Sequence, residues 1–380
     1  MSRSLLVIAG EISGDMHAAR VVRSLQDQCP DIHCWGIGGD DLRATGMELL
    51  YDAKDMAVLG LTEVLKRYGF FRRVFRECVR EMKLRKPDAV LLVDYPGFNL
   101  RFARVAKRHG VKVIYYICPQ VWAWHRSRIQ RMAQIVDRLL VIFPFEVDVF
   151  KHTQLRVDFV GHPLVAAAQA ALAEPPISLP WPDLCQQRVA LLPGSRKQEV
   201  ERILPTMLDA VHHIAQKRNS AGFLIAAPSA QVASYINEVL AQHPRSDTIT
   251  AVVIDQTRHV LRQAHAAIVA SGTATLETAL LGCPMIVVYK TAALTYFVGK
   301  RLIQVPYLGM VNLVAKRHLC PEFLQNDAQP ERMAAAMLPL LEDSTERATM
   351  LAGLQEVARE LGDVDAAEAA AAVIRSELTA

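Results

Sequence analysis

The sequence lacks the features that several classes of protein require. Its seven cysteines are odd in number and scattered, with no Cys-x-x-Cys pair. This pattern excludes a disulfide framework and a zinc cluster and is typical of a reducing cytosol. No stretch reaches the roughly 20 mostly apolar residues of a spanning helix. The first apolar run, residues 5–9, is too short for the core of a signal peptide. We therefore expect a cytoplasmic chain whose membrane contacts are peripheral.

Excess charge and metal-ligand clusters are also missing. Lys and Arg total 43 against 39 Asp and Glu, which gives a net charge of +4. That excess is too small for a nucleic-acid binder that works by bulk charge, so no nucleic-acid partner is expected. The pair Asp363 and Asp365 resembles a metal-binding Asp-x-Asp, but its place before the last helix favours a cap. No His or carboxylate cluster has ligand spacing, so we expect no metal.

What is present is an alternation of short Val, Ile and Leu runs with amphipathic segments, which predicts buried parallel strands and crossover helices. The runs are residues 5–9, 89–93, 111–117, 139–143, 189–192, 223–227, 251–254, 266–270 and 285–289. A proline-rich stretch at 174–182 reads as a linker. We predict an α/β chain of two doubly wound, Rossmann-like domains, 1–170 and 185–345, that face a ligand-binding cleft.

In the second half, two strand ends lead into helix starts that suit a diphosphate. Ser195 and Arg196 follow one apolar run, and Ser271, Gly272 and Thr273 follow another. Unpaired N–H groups and a positive dipole end favour a phosphate there, although a plain strand-to-helix turn explains the same residues. Glu277, one turn into the second helix, is a candidate acceptor for both ribose hydroxyls. A favourable charge near a helix start explains it equally well.

In the first half, two loops carry carboxylates. Glu11, Ser13 and Asp15 follow the first strand, and they serve either a polar ligand or a tight turn with Asp15 as helix cap. The full Gly-x-Gly-x-x-Gly spacing is absent, which argues against a nicotinamide dinucleotide. Asp94 ends the apolar run 89–93, where partial burial would raise its pKa toward that of a useful base. Capping of the next helix is the alternative.

The aromatic run 115–124, with His125 and Arg126 after it, is harder to assign. Core packing is favoured over a sugar-stacking platform on general grounds. We expect His125 and His162 to be loop histidines with satisfied hydrogen bonds and not ligands.

Residues 66–86 form a basic segment with nine basic and two acidic residues. Its apolar residues recur at helical spacing, which predicts an amphipathic helix. One reading is a membrane contact made by an aromatic and a basic set, namely Phe70, Phe71, Phe75, Arg72, Arg73 and Arg76. The other reading is a crossover helix whose apolar stripe packs on the sheet while its arginines stay hydrated.

Seven motifs together resemble the bacterial lipid-A-disaccharide synthase family in order and across nearly the whole chain. They are Ala9-Gly-Glu-Ile-Ser-Gly-Asp15, Val93-Asp-Tyr-Pro-Gly-Phe-Asn99, Pro119-Gln-Val-Trp-Ala-Trp124, Phe143-Pro-Phe-Glu146, Val160-Gly-His162, Leu191-Leu-Pro-Gly-Ser-Arg196 and Ser271-Gly-Thr-Ala-Thr-Leu-Glu277. The resemblance implies a GT-B glycosyltransferase fold whose C-terminal helix, within 350–380, crosses back to the first domain. It also implies inverting transfer from UDP-2,3-diacylglucosamine to the 6-hydroxyl of 2,3-diacylglucosamine 1-phosphate (lipid X), giving the β-1′,6-linked disaccharide 1-phosphate and UDP.

The resemblance also implies roles for individual residues. Asp94 matches the family's essential aspartate and is the leading base, and Arg196 matches the arginine at the UDP phosphates. The remaining matches are Glu11, Ser13 and Asp15 near the acceptor, and Ser195, Ser271, Gly272, Thr273, Glu277 and Asn312 on the UDP-sugar side. Around Asn312 this chain reads Gly-Met-Val, where relatives carry Ser-Leu-Pro or similar.

The resemblance implies acylated substrates but no cofactor. Acylated substrates favour the membrane reading of segment 66–86, on the anionic inner membrane of a Gram-negative bacterium. The sequence leaves the oligomeric state open, a homodimer included. Two alternatives stand beside the transferase: an enzyme like UDP-N-acetylglucosamine 2-epimerase, and a non-catalytic nucleotide-binding membrane module.

Overall fold

A computed structural model describes residues 3–56, 68–123, 127–292 and 305–379. The chain divides into two compact units. Unit 1 comprises Met1–Pro163 and Leu361–Ala380, and unit 2 comprises Leu164–Glu360. The proline-rich stretch 174–182 belongs to unit 2, where the Trp181 indole N–H donates to the Gln263 side chain at 3.1 Å.

Unit 1 is built on a seven-stranded parallel sheet with the strand order β3-β2-β1-β4-β5-β6-β7. The strands are β1 Arg3–Ala9, β2 Ile32–Gly38, β3 Glu48–Asp52, β4 Ala89–Val93, β5 Lys112–Tyr116, β6 Arg138–Val141 and β7 Arg156–Phe159. The helices are α1 Ile12–Gln28, α2 Asp40–Arg43, α3 Ala53–Met56, α4 Tyr68–Arg85, α5 Pro96–Arg108, α6 Ser127–Ile135, α7 Phe145–Phe150 and, at the end of the chain, α16 Ala366–Thr379.

Unit 2 repeats the architecture with a six-stranded parallel sheet ordered β10-β9-β8-β11-β12-β13. Its strands are β8 Gln187–Leu192, β9 Ala221–Ala227, β10 Ala251–Ile254, β11 Ala266–Ala270, β12 Met285–Tyr289 and β13 Glu322–Leu324. Its α-helices are α8 Leu164–Ala173, α9 Lys197–Lys217, α10 Ala230–Leu240, α11 Thr257–Gln263, α12 Thr273–Leu280, α13 Met310–Ala315, α14 Pro330–Met337 and α15 Thr345–Glu360. Three short 3₁₀ turns complete the described part, at Ser246–Thr248, Gln325–Asp327 and Leu338–Leu341.

The central strands form because their side chains are buried on both sheet faces. Every residue of β4 is fully buried, and the two faces of the unit 1 sheet carry separate hydrophobic clusters. A strand covered on both faces gains from Val, Ile and Leu at every position, which explains continuous apolar runs without alternation. The predicted class, two Rossmann-like α/β units with parallel sheets, is confirmed.

The C-terminal helix α16 belongs to unit 1 and packs beside α1. Asp365 caps it, since its carboxylate accepts the Ala367 N–H at 2.7 Å and also pairs with Arg20 at 2.9 Å. At the other end, the buried carboxylate of Glu377 contacts Arg138 and Arg156, at 3.4 and 2.7 Å. The predicted return of this helix to the first domain is therefore confirmed. Among the described residues, no helix is both long and apolar enough to cross a bilayer.

Candidate active site

In unit 1, the predicted loops of Glu11 and Asp94 meet at one edge of the sheet. Strands β1 and β4 are hydrogen-bonded neighbours, with Ala9 beside Val93. Because both strands run in the same direction, the residues that follow them emerge at the same carboxyl edge. Adjacent strands thus bring together two carboxylates that lie more than 80 residues apart in sequence.

The backbone of Asp94 adopts an uncommon conformation that its neighbours hold in place. Asp94 and Tyr95 have φ angles of 45° and 47°, the left-handed region that non-glycine residues seldom adopt. The Asp94 carbonyl accepts the Tyr115 hydroxyl at 2.5 Å and the buried Asn99 side-chain N–H at 2.8 Å. Backbone strain of this kind persists only where surrounding contacts enforce it, as in active sites.

The environment of Asp94 raises the pKa of its carboxyl group. Burial, followed by repulsion from the Glu11 carboxylate, raises the pKa of Asp94 to about 6, and the Tyr95 backbone N–H opposes this shift. The same burial and the nearby Asp94 charge raise the pKa of the Tyr115 phenol. A carboxylate with a pKa near 6 is ionised at neutral pH and still basic enough to accept a proton.

Gly10 is required by the way the two loops pack. A Cβ atom at this position would lie 2.5 Å from Cδ1 of the Tyr95 ring. The ring therefore covers the turn after β1, and any larger residue would displace it from beside Asp94.

Asp15 has a different place from the one that its sequence position suggests. The helix it was expected to cap begins at Ile12, with Glu11 at the cap position. Its buried carboxylate instead accepts the backbone N–H groups of Gly39, Asp41 and Leu42, at 2.6, 3.0 and 3.2 Å. The expectation of a local cap is thus corrected, because Asp15 anchors the start of α2. Ser13 lies on the exposed first turn of α1.

In unit 2, the loop after β8 presents one strongly exposed cation. The Arg196 side chain is 81% exposed, and its guanidinium pairs only loosely with Glu199, at 3.4 Å. The Glu199 carboxylate turns back and accepts the N–H groups of Ser195 and Arg196 at 3.1 and 3.3 Å. Those two N–H groups are therefore already used, and the guanidinium is the stronger candidate for a phosphate.

The loop after β11 leads directly into α12. Gly272 has a φ of 149° and precedes the helix, whose first-turn N–H groups begin at Thr273. The first N–H groups of a helix have no partner within it, so they suit an anion. Both the backbone and the side chain of Ser271 make hydrogen bonds. Its N–H donates to Val288 O at 2.9 Å, and its hydroxyl donates to Leu308 O at 3.1 Å.

The Glu277 carboxylate is oriented by a residue that the sequence did not single out. Arg258, on α11 after β10, donates from Nε to Glu277 Oε1 at 2.7 Å. The Glu277 side chain is 19% exposed. An oriented carboxylate with residual exposure suits the pair of hydroxyls expected of a ribose.

Asn312 is buried, and its amide is used inside unit 2. Its Nδ2 donates to Cys320 O and to Glu322 Oε1, at 2.8 and 2.7 Å. Its Oδ1 accepts the N–H groups of Leu319 and Cys320. These four bonds satisfy the main capacity of an amide. Asn312 therefore supports its loop, and direct contact with a nucleotide, which the resemblance implied, does not follow from this geometry.

The helix α4 packs its aromatic stripe against the unit 1 core, on both α5 and β3. Phe75 makes edge-to-face contacts with Phe98 and Phe102, and Phe70 does so with Tyr51. Phe71 also packs against the unit 1 core. These contacts agree with the crossover-helix reading for the phenylalanines. The arginines Arg72, Arg73 and Arg76 are exposed, while Lys66 and Arg67 lie outside the described residues.

A buried acid lies beneath the aromatic segment that follows β5. Glu146 accepts the Trp122 indole N–H at 3.0 Å and the Phe143 N–H at 3.1 Å. Burial raises its pKa to about 8, although these hydrogen bonds oppose the shift. Trp122 is itself buried, in agreement with core packing of the aromatic run. Trp124, His125 and Arg126 lie outside the described residues.

Other candidates add less to the site. His162 is buried against Phe143, and burial lowers its pKa to about 4. Among the residues that the structure describes, no group of three or more His, Cys, Asp or Glu side chains suits a metal ion.

Comparison with known proteins gives concordant results. The family described as lipid-A-disaccharide synthetase matches residues 5–374. The lipid-A-disaccharide synthase of Syntrophus aciditrophicus is 41% identical over 372 residues, which cover 97% of this chain and 96% of that protein.

Two solved structures are similar in fold. The UDP-GlcNAc 2-epimerase of Neisseria meningitidis, bound to UDP-GlcNAc, aligns with a TM-score of 0.61 at 13% identity and covers 99% of both chains. The calicheamicin glycosyltransferase aligns with a TM-score of 0.62 at 14% identity, over 100% of this chain and 99% of that one. At such low identity these structures support the fold alone.

Proposed function

Because this chain belongs to the lipid-A-disaccharide synthetase family, we propose specific substrates and residue roles for its reaction. The family makes it a UDP-sugar-dependent glycosyltransferase that synthesises the lipid A disaccharide. The proposed donor is UDP-2,3-diacylglucosamine and the proposed acceptor is 2,3-diacylglucosamine 1-phosphate. The observation that carries the proposal is the place of Asp94, half-buried in an enforced left-handed turn beside the loop of Glu11, at the edge that β1 and β4 share.

Asp94 is the proposed general base. Its carboxylate removes the proton from the acceptor 6-hydroxyl while that oxygen forms a bond to the anomeric carbon of the donor. The bond between this carbon and the UDP oxygen breaks at the same time, and the electron pair leaves with UDP. A single displacement inverts the anomeric configuration. Glu11 contributes by keeping the Asp94 carboxylate basic.

Unit 2 supplies the proposed binding site for UDP. Arg196 contacts the diphosphate through its exposed guanidinium, and the first turn of α12 offers the N–H groups of Thr273 and Ala274, since the Thr275 N–H already donates to Gly272 O at 3.1 Å. Both groups stabilise the negative charge that develops on the leaving group. Glu277, oriented by Arg258, accepts hydrogen bonds from the ribose hydroxyls.

The exposed cationic face of α4 is the proposed contact with anionic lipid. Its phenylalanines pack on the core, so charge and not insertion provides the attraction. Each surface arginine contributes about 1 kcal/mol near an anionic membrane, so replacing Arg72, Arg73 and Arg76 by Gln should weaken binding about 100-fold. The test is cosedimentation with phosphatidylglycerol vesicles and with neutral phosphatidylcholine vesicles.

A matched control removes the same charge from another helix of unit 1. Arg101, Arg104 and Arg108 are exposed on α5. Their replacement by Gln should leave vesicle binding nearly unchanged. Equal losses in the two triple variants would mean that net charge, and not the α4 face, governs binding.

Defined substrates test the reaction itself. UDP release should require both UDP-2,3-diacylglucosamine and the acylated acceptor, and the product should be the β-1′,6 disaccharide. Release of UDP without the acceptor would contradict the proposal and favour an epimerase-like reaction. Absence of release with both substrates, in protein shown to be folded, would contradict catalytic turnover.

A further inference from the structure

Glu322 belongs to none of the motifs above, yet its carboxylate joins three parts of unit 2. It is the first residue of β13. Its Oε2 accepts the Leu308 N–H at 3.1 Å, and its Oε1 accepts the Gly309 N–H at 3.0 Å. Oε1 also accepts the Asn312 side-chain N–H at 2.7 Å. One carboxylate therefore fixes both the backbone just before α13 and the buried side-chain amide of Asn312 within that helix.

These contacts continue to the loop that precedes α12. Leu308 is held on both sides, because Glu322 binds its N–H and its carbonyl accepts the Ser271 hydroxyl at 3.1 Å. Ser271 stands at the turn that leads to the first N–H groups of α12. The Gly309 N–H and the Leu308 carbonyl belong to the same peptide group, so a continuous path of hydrogen bonds runs from Glu322 Oε1 through this peptide to Ser271 in the proposed diphosphate loop.

The packing leaves little freedom at the centre of this path. A Cβ atom on Gly309 would lie 3.0 Å from Glu322 Oε1, so the carboxylate lies against the backbone itself. Asn312 adds a second constraint, since its Oδ1 accepts the N–H groups of Leu319 and Cys320 at 2.9 and 2.8 Å. The segment before β13 and the start of α13 are thereby fixed relative to each other.

We propose that Glu322 is a positioning residue for the UDP-sugar, acting through Leu308 on Ser271 and hence on the turn into α12. The inference rests on the proposed function, because that proposal puts the diphosphate at this turn. Preorganised binding groups depend on supporting hydrogen bonds of this kind, and loosening the support weakens the ligand contacts they orient.

The test is Glu322→Gln, which preserves shape but turns one of the two acceptor oxygens into an N–H donor that faces a backbone N–H. UDP affinity measured by calorimetry should fall about tenfold, as expected for loss of a hydrogen bond to a charged group. The KM for the UDP-sugar should rise by a similar factor, while the KM for the acceptor stays unchanged. A merely structural role would not separate the two substrates in this way.

Glu331→Gln is the matched control. Glu331 is another glutamate of unit 2, with a 70% exposed side chain that pairs with His213. We expect this variant to keep UDP affinity within about twofold of wild type. UDP affinity within the same limit for Glu322→Gln would overturn the inference.

Coupling to Ser271 tests the route. If Glu322 acts through Ser271, the losses caused by Glu322→Gln and Ser271→Ala should not multiply in the double variant. Full multiplication of the two fold-changes would overturn the proposed path.

Hydrogen exchange on the unmodified protein covers the case in which Glu322→Gln fails to fold. UDP should slow exchange of the Leu308 and Gly309 amides by about fivefold or more, and unchanged exchange would overturn the inference. The experiments also distinguish failure of the proposed function from failure of this inference. If the wild-type protein binds no UDP, the proposed function fails. If Arg196→Ala weakens UDP binding and Glu322→Gln does not, only the inference about Glu322 fails.

Discussion

Replacement of Asp94 by Asn tests the proposed chemistry most directly. Asn has nearly the same shape, tolerates the left-handed backbone of this position, and cannot act as a carboxylate base. The rise of the Asp94 pKa from 3.8 to about 6 corresponds to about 3 kcal/mol in favour of the protonated form. At pH 7 about nine tenths of the Asp94 carboxyls are then ionised, against about one tenth at pH 5.

The assay is UDP release between pH 5 and 8 at donor and acceptor concentrations below and above their KM values. Wild-type kcat/KM, which reports the pKa of the free enzyme, should rise with pH along a limb centred near pH 6, whereas Asp94→Asn should show no such limb and a kcat lower by about 10² to 10⁴. Asp148→Asn, at an exposed position in the same unit, should behave as wild type. A pH limb that persists in Asp94→Asn, or a near-normal kcat, would refute the assignment.

Stability separates loss of chemistry from loss of fold. The folded pKa of Asp94 lies above its unfolded value, so its contribution to stability is complete below about pH 4 and is lost as pH rises to about 6. At pH 7 the buried charge is a cost that Asn does not carry. Asp94→Asn should therefore melt no lower than wild type at this pH.

Glu11 supplies an independent check on the cause of the shift. Burial is the first cause of the raised Asp94 pKa and repulsion from Glu11 the second. Glu11→Gln removes only the second cause, so the acid limb of kcat/KM should move to lower pH without disappearing. A limb that stays in place would mean that the two carboxylates are not coupled in the working enzyme.

Three further predictions concern other groups. Arg196→Ala should weaken UDP binding about tenfold or more by calorimetry, with Arg218→Ala as control, and unchanged affinity would remove Arg196 from the site. Burial raises the pKa of Glu146 to about 8, so the stability that this group contributes is lost as pH rises toward 8. The Tm of Glu146→Gln minus the Tm of wild type should therefore increase from pH 5 to pH 8.5, and a constant difference would contradict this. Glu377→Gln should lower the free energy of unfolding by about 2 kcal/mol in denaturant titrations, because the buried Glu377 carboxylate accepts hydrogen bonds from the partly exposed Arg138 and Arg156, whereas Glu368→Gln, at an exposed position, should not.

The strands and their carboxyl edges were predictable because burial on both sheet faces leaves a direct record in the sequence. The run before Asp94 is apolar at every position, and the structure ends β4 at Val93. The parallel direction then puts the loops that follow β1 and β4 at one edge. The proximity of Glu11 and Asp94 depends in addition on the pairing of β1 with β4, a long-range contact that the apolar runs do not specify.

Partnerships between distant residues left no such record. Glu277 is oriented by Arg258 and Asn312 by Glu322, and neither pairing follows from helical or strand periodicity. The aromatic stripe of α4 shows a further limit. A helix that packs on a protein core and a helix that lies on a membrane need the same apolar spacing, so only contacts such as that between Phe75 and Phe102 of α5 distinguish them.

Asp15 and Asp94 follow neighbouring strands, and they differ in the number of N–H groups that donate to their carboxylates. Asp15 accepts three backbone N–H groups from the start of α2, so its oxygens are used in holding that helix. Within the described part of the chain, the Tyr95 N–H is the donor whose hydrogen bond opposes the raised pKa of Asp94. The oxygens of Asp15 are thus occupied by structural hydrogen bonds, whereas burial raises the pKa of the Asp94 carboxyl. The family resemblance implies a place near the acceptor for both residues, and the hydrogen bonds that each makes are our reason for proposing Asp94 as the proton acceptor.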